Sequence, residues 1–479
     1  MWRLNSSYSA HSRSLVFPGL FQCLVLFGMA SLSACATLHG TPPETMHPIP
    51  EAGPVAFESA HGPVSAQTSK QIIDTLGDAS GDDTILKKHL VVEEALNQDN
   101  PLILGNKLSL LQDGPATYAA MFAAIRAARH SINLETYIFD DGRIGTEFAD
   151  LLLAKQASGV QVNVIYDSVG CLDTPAEFFD RLRDGGIRIL EFNPINPANA
   201  HKRKWLLNNR DHRKLLVVDG RIAFLGGINI SETYSSGSFS RSRKKDGTSQ
   251  AGWRDTQLQL EGPVVAELQK DFMDTWARQK GPPLPEKHYF PKLVTKGKEI
   301  VRAIASESDE PDSPIYLTLL SAIDHAERFV HLTNAYFVPD PHLVRALIGA
   351  AHRGVDVRLI LPGKSDSWLV FQAGRSHYAE LLRAGIRIYE RRDTVLHAKT
   401  ASIDGVWATI GSTNLDWRSY LHNDEINAVI LGTHFSRQME AMFDQDRAAS
   451  ILIDPARWQR RSPLQHMEEW VARRFEYWL

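Results

Sequence analysis

Two stretches of the chain share one pattern of apolar and polar positions. In the first, a helical run over residues 117–128 leads into Ile132-Asn133-Leu134-Glu135-Thr136-Tyr137-Ile138-Phe139. In the second, a run over 315–326 leads into Val330-His331-Leu332-Thr333-Asn334-Ala335-Tyr336-Phe337. The 3.6-residue spacing predicts the helices, and the β-branched and aromatic runs predict strands. Each copy continues with a helix that stops at Gly159 or Gly354, where a left-handed cap suits glycine. A β-branched run follows (160–166 and 355–361), then another helix and a short strand, Gly186-Ile187-Arg188-Ile189-Leu190 or Gly385-Ile386-Arg387-Ile388-Tyr389. The period is about 190 residues, which marks an internal duplication. Alternating strand and helix units predict an α/β fold, two sandwich domains over 101–290 and 291–479 with parallel strands covered on both faces.

The chain ahead of the repeat reads differently. Residues 1–34 hold Arg3 and Arg13 and no acid, and their apolar stretch over 15–32 is interrupted by Pro18, Gly19 and Gln22. That is the profile of an export signal, whereas an uncleaved anchor needs about 20 apolar residues in succession. Leu32-Ser33-Ala34-Cys35 resembles the bacterial lipobox, which implies cleavage before Cys35 and lipidation of that cysteine. One acyl chain holds weakly, so two or more are expected. Ala36 rather than Asp at the next position points, in Gram-negative lipoproteins, to the outer membrane. Residues 35–100 read as a tether and a small N-terminal extension with a helix near 69–76. The expected location is extracytoplasmic, with a lipid anchor on the periplasmic face of the outer membrane.

Composition narrows the classes. Of 479 residues, 43% are apolar and 23% charged, which excludes a disordered, collagen-like or polytopic membrane chain. The net charge is −4, and loss of the leader with its two arginines takes it to −6. A holder of nucleic-acid phosphates carries a basic excess instead. Of the three cysteines, Cys23 lies in the leader and Cys35 at the modified terminus, leaving Cys171 and no disulfide framework.

The copies agree most closely where chemistry is densest. The first reads His212-Arg213-Lys214, Asp219-Gly220, Gly226-Gly227-Ile228-Asn229; the second reads His397-Ala398-Lys399, Asp404-Gly405, Gly411-Ser412-Thr413-Asn414. Residues i and i+2 of a strand share a face, so each imidazole projects beside an ammonium group. Asp-Gly between two β-rich runs is a hairpin turn, which assigns Asp219 and Asp404 to support of the two His/Lys pairs. Gly227 and Ser412 would admit a substrate oxygen, and the amides of Asn229 and Asn414 would donate to it. Lysines, amides and backbone donors converging on one point suit a phosphoryl group, where negative charge grows during transfer. Asp255 and Glu425 are the candidates for orienting the rings: Asp255 lies 43 residues after His212, and Glu425 lies 28 after His397. His331 reads as a satisfied core histidine. No His/Cys/carboxylate cluster has zinc spacing, and two lysines supply the positive charge, so neither metal nor cofactor is expected.

With these residues in view, the chain resembles the phospholipase D superfamily, whose signature is His-x-Lys-x4-Asp in two copies, and within it the bacterial cardiolipin synthases. Further matches are Trp253-Arg254-Asp255-Thr256, Tyr336-Phe337-Val338-Pro339-Asp340 and Asn414-Leu415-Asp416-Trp417-Arg418-Ser419. The resemblance implies two phospholipase D-like sandwiches joined as a pseudo-two-fold pair and catalysis by His212, Lys214, Asp219, His397, Lys399 and Asp404. One His attacks phosphorus to give a phosphohistidine while the other protonates the leaving alcohol; His212 is favoured as the nucleophile. The leading function is a phosphatidyltransferase joining phosphatidylglycerol to a second glycerol-bearing lipid. The alternatives are a phospholipase D that uses water, a nuclease, or an envelope protein that binds lipid without turnover. A phospholipid and a membrane surface are the expected partners, and no protein partner is expected. The aromatic and arginine-rich residues 458–479 fit either an interfacial helix or a capping helix with a solvated basic face.

Overall fold

A computed structural model of the chain describes residues 54–80, 83–196, 207–238, 241–243, 249–285, 287–308, 310 and 312–479. The expected leader, Cys35 and the expected tether up to residue 53 lie outside the described residues. Chain order opens with β1 (Phe57–Ser59), β2 (Gly62–Pro63), α1 (Ala66–Ser80) and α2 (Asp83–Leu96). The first half follows: β3 (Leu102–Gln112), α3 (Asp113–Ala127), β4 (Ser131–Thr136), α4 (Arg143–Ala157), β5 (Gln161–Asp167), α5 (Ala176–Asp184), β6 (Arg188–Phe192), β7 (Arg210–Asp211), β8 (Lys214–Val218), β9 (Ile222–Gly226), β10 (Arg241–Arg243), β11 (Ser249–Ala251), β12 (Thr256–Glu261) and α6 (Val265–Arg278). In the second half come β13 (Glu299–Ser306), α7 (Pro314–Asp324), β14 (Phe329–Asn334), β15 (Phe337–Val338), α8 (Pro341–His352), β16 (Asp356–Pro362), α9 (Trp368–Ser376), α10 (Tyr378–Arg383), β17 (Arg387–Arg391), β18 (Lys399–Ile403) and β19 (Trp407–Gly411). The chain ends with β20 (Leu415–Asp416), α11 (Trp417–Leu421), β21 (Asn423–Leu431), α12 (Thr433–Ala448), β22 (Ser450–Leu452), α13 (Pro455–Gln459) and α14 (Pro463–Arg473).

The duplication is visible in the strand order. The first sheet runs β6-β5-β4-β8-β9-β12-β3. The second repeats it as β17-β16-β14-β18-β19-β21-β13, with β22 added at the β17 edge. In each, only the first three strands are parallel to one another, so the expectation of a parallel sheet holds for three strands of seven. The rest are antiparallel because the Asp-Gly turns fold β8 onto β9 and β18 onto β19. Those turns have the left-handed backbone that the pair demands, with φ of 53° and 59° at Asp219-Gly220 and 56° and 74° at Asp404-Gly405.

Alternation along the strands sorts the apolar residues into three layers. Leu215 and Val217 of β8 enter a central cluster with Leu258, Leu260, Ala408, Ile410, Ile426, Ala428 and Ile430, into which α6 and α12 insert Phe272 and Met439. Leu216 and Val218 face the other way, toward Phe122, Phe148 and Leu152. The central core therefore belongs to both halves, and pairing of β13 with β3 runs the two sheets together. Residues 35–100 were expected to be a tether with a small extension. From Phe57 to Leu96 they are folded: the expected helix is longer, α2 follows it, and Phe57, Ile85, Leu86 and Leu90 pack in the outer core of the second half. The anchoring contacts are polar as well, His89 Nε2 to Asp404 at 3.0 Å and Trp407 Nε1 donating to Glu93 at 2.6 Å.

Candidate active site

The two His-x-Lys segments meet because the halves exchange strands near them. β7, directly before His212, pairs in parallel with the start of β21. Arg254 bridges to Leu396, directly before His397. Backbone bonds complete the junction: His212 N donates to Asp424 O and His397 N to Arg254 O.

These pairings cross the acids over. His212 Nδ1 donates to Glu425 at 3.0 Å, and His397 Nδ1 donates to Asp255 at 2.7 Å. Each ring is oriented by a carboxylate from the opposite half, not by the acid that follows it in its own repeat. The sequence named Asp255 and Glu425 as the orienting acids without pairing either to a ring, because the strand exchange is invisible in either repeat alone. With Nδ1 engaged, Nε2 is the atom of each ring left to react, and that of His397 lies 3.3 Å from Lys399 Nζ.

Both lysines fold back along the strand, Nζ donating to the carbonyl of His212 or His397. Lys214 Nζ lies 5.2 Å from the centre of the Tyr137 ring and Lys399 Nζ lies 5.9 Å from that of Tyr336, a matched pair of aromatic walls. The same tyrosines stand edge-on to His212 and His397. Tyr336 OH donates to Asp366.

The His212, Lys214, His397 and Lys399 side chains are all buried, and their proton affinities follow from that. Burial, then Lys214, Lys399 and His397, hold the His212 imidazolium well below its usual range. His397 is lowered by burial and Lys399, with Asp255 acting in opposition. Burial brings Lys214 down to about 7 and Lys399 to about 8, while it pushes Glu425 up to about 7. The mutual influence of the two rings and two ammonium groups is that of a single shared site, and an arriving phosphodiester anion would restore positive charge to it.

Several candidates do other work. Asp219 accepts from the backbone N–H of Arg129, His130 and Ser131, and Asp404 from those of Glu327, Arg328 and Phe329. Each staples its hairpin to the start of the neighbouring strand, about 16 Å of strand away from its lysine. That is the support role, and it removes both from the reacting groups. Gly227 and Ser412 were expected to face a substrate oxygen; they serve the acids instead. A Cβ at Gly227 would sit 2.2 Å from Asp255 Oδ1, and Ser412 Oγ donates to Glu425 Oε2. Asn229 is occupied too, its Oδ1 accepting from Ile138 N and its Nδ2 donating to Tyr234 OH. Asn414 keeps a buried Oδ1 without a partner among the described residues. His331 is a core residue, stacked on Phe443 and bonded to Glu440 at 2.7 Å.

The family described as "Cardiolipin synthase, PLD-like domain" matches residues 121–239 and 319–447, one segment in each half. The chain belongs to this family. It is 37% identical to cardiolipin synthase A of Pseudomonas entomophila (strain L48) over 381 residues, covering 78% of this chain and 75% of that one. Against cardiolipin synthase of Geobacillus kaustophilus (strain HTA426) the identity is 34% over 377 residues, 78% of this chain and 72% of the relative. Among solved structures, phosphatidylserine synthase from Haemophilus influenzae Rd KW20 aligns with a TM-score of 0.57 at 12% identity, over 80% of this chain and 97% of its own. That likeness concerns the fold.

Within this family frame, the site contains residues that motif spacing did not single out. Tyr234 OH lies 3.2 Å from His397 Nδ1, and the Trp253 ring is 5.3 Å from that of His397. Arg418 on α11 is one of the cations that depress His212, and its guanidinium donates to Asn208 at the rim. Tyr336, Trp253 and Arg418 stood inside stretches already marked as similar to the family, and Tyr137 stood in the repeated strand run over 132–139. Tyr234 had no such signal beyond being an aromatic residue at the edge of a polar loop.

Proposed function

We propose that the protein is a phosphatidyltransferase of the cardiolipin synthase type that works through a phosphohistidine on His212. The observation that carries the assignment of roles is the unequal environment of the two rings. His212 is neutral at neutral pH, held with Nδ1–H on Glu425, so its Nε2 lone pair is free to attack. His397 is lowered too, by burial and Lys399, but Asp255 opposes the fall, so of the two rings it is the one that more readily takes up the proton given to the leaving alcohol.

In the first half-reaction His212 Nε2 bonds to the phosphorus of phosphatidylglycerol, the P–O bond to glycerol breaks, and glycerol leaves with the proton from His397. In the second, neutral His397 takes the proton of a hydroxyl on a second phosphatidylglycerol. Its oxygen bonds to phosphorus as the P–N bond breaks, giving cardiolipin. Lys214, Lys399 and the Asn414 amide hold the phosphoryl oxygens through both steps. The test is incubation of purified protein with phosphatidylglycerol carrying ³²P. Cardiolipin and free glycerol are expected, with acid-labile label on the protein that His212→Ala removes. Phosphatidic acid as the sole product would replace the transferase with a hydrolase, and label retained in His212→Ala would reverse the two rings.

We also infer a lipid anchor at Cys35 and a position on the periplasmic face of the outer membrane. Support comes from Leu32-Ser33-Ala34-Cys35 and the following Ala36. Labelled palmitate should enter the wild-type protein and not Cys35→Ser, and the labelled chain should fractionate with outer membranes.

A further inference from the structure

The last helix is built inside out. The side of α14 that packs on the protein carries Ala472 and Glu469, the latter only 4% exposed and bonded to Arg461 at 2.7 Å. Leu464, Met467, Trp470 and Val471 stand in solvent, with Trp470 59% exposed. Their spacing of i, i+3, i+6 and i+7 sets them on one stripe, opposite the buried side. Phe475 and Trp478 extend the apolar surface past the helix end, Trp478 being 65% exposed. Trp368, 54% exposed, stands in the first turn of α9, the helix against which α14 packs.

A contiguous apolar stripe of this length marks an interaction surface. Its flanks define the partner. Arg457, Arg460, Arg473 and Arg474 are all exposed, and the Arg474 guanidinium lies 4.8 Å from the Trp470 ring centre. Four arginines around tryptophans, in a chain with net charge −4, complement a negatively charged surface that has an apolar interior. The surface is also continuous with the site. Arg418 N donates to the carbonyl of Leu479, and the Tyr477 ring packs 5.6 Å from Trp417. The tail that follows α14 is thereby fastened to the short helix that holds Arg418 beside His212.

We propose that the exposed face of α14, with Phe475, Trp478 and Trp368, seats in the headgroup and acyl boundary of an anionic phospholipid bilayer. The proposal deepens the phosphatidyltransferase reading and rests on it, because the seated surface then supplies substrate to the adjoining site. The experiment uses the full chain and vesicles of phosphatidylglycerol and phosphatidylethanolamine with brominated acyl chains. Tryptophan quenching is expected in the wild type, with at least half of it lost in Trp470→Phe/Trp478→Phe; undiminished quenching in that variant, or none in the wild type, overturns the proposal. In Met467→Glu/Trp470→Glu, turnover of vesicular phosphatidylglycerol should fall about tenfold while turnover of short-chain phosphatidylglycerol dispersed in detergent stays unchanged. Equal loss on both substrates would assign the stripe to folding and overturn it. A lipid-free dimer in sedimentation that Met467→Glu/Trp470→Glu dissolves would assign the stripe to a second copy and overturn it as well. Quenching without turnover on either substrate in the wild type would leave the docking face standing and sink the phosphatidyltransferase reading.

Discussion

The two halves share seven strands in the same order and present their histidine and lysine from equivalent strand ends, yet their surroundings have diverged. His212 has a carboxylate that burial pushes up to about 7 and that is shared with Ser412 and Asn423. His397 has Asp255, Tyr234 and Trp253 around it. The residue between His and Lys differs as well. Ala398 is small, whereas Arg213 is fully buried and ties its own half to the other, donating to Glu425 O, Ser306 O and Thr275 Oγ1. Duplication supplied two equal reactive groups, and their neighbours made them unequal. Two-step transfer needs that inequality, because one ring must lack a proton while the other carries one.

The comparison breaks most visibly at the rings. His212→Ala and His397→Ala should each lower kcat by about 10⁴, but only His397→Ala should retain an acid-labile phosphorylated protein when the reaction is stopped with alkaline detergent. Next in size is Arg213→Ala, which strands Glu135 and its acidic neighbours in the interior. A loss of about 3–5 kcal/mol in chemical unfolding is expected, whereas Ala398→Gly at the matching position should cost about 1 kcal/mol. The acids come third: Asp255→Asn should cost about 100-fold in kcat/KM and Glu425→Gln about tenfold. Asp255→Asn should also move the alkaline limb of the kcat/KM profile to lower pH, since removing that negative charge weakens the hold of His397 on its proton. For the wild type the profile should peak on the acid side of neutrality. His212 is neutral well below 6.5, and rising pH strips the proton from His397, then from Lys214 at about 7 and Lys399 at about 8. A peak above pH 8 would contradict these environments. The smallest effect is that of Tyr234→Phe, about fivefold in kcat with KM unchanged, from loss of one hydrogen bond beside His397.

Much of this was legible where the signal is local. The repeat, the His/Lys pairs and the turn role of Asp219 and Asp404 follow from periods of 2 and 3.6 and from a dipeptide. What escaped depends on neighbours in space. Glu425 lies 213 residues from His212 and Asp255 lies 142 from His397, and no pattern inside one copy reveals that β7 joins β21. Gly227 was read as room for substrate when the space is filled by Asp255, because a missing side chain does not say what replaces it. Beyond the two Asp-Gly hairpins, the antiparallel half of each sheet rests on long-range pairing, which is hidden for the same reason. The segment 57–96 was undervalued through its polar flanks, although Ile85, Leu86 and Leu90 already showed a helical stripe.

That segment sets a timetable for making the protein. Phe57, Leu86, His89 and Glu93 emerge first during synthesis, yet Asp404 and Trp407, on which they close, arrive more than three hundred residues later. Until then the segment has β3 and α7 to pack on, and the last sheet has no lid. Maturation is thus deferred to the end of the polypeptide, and any premature stop leaves greasy surface open to self-association rather than a working fragment.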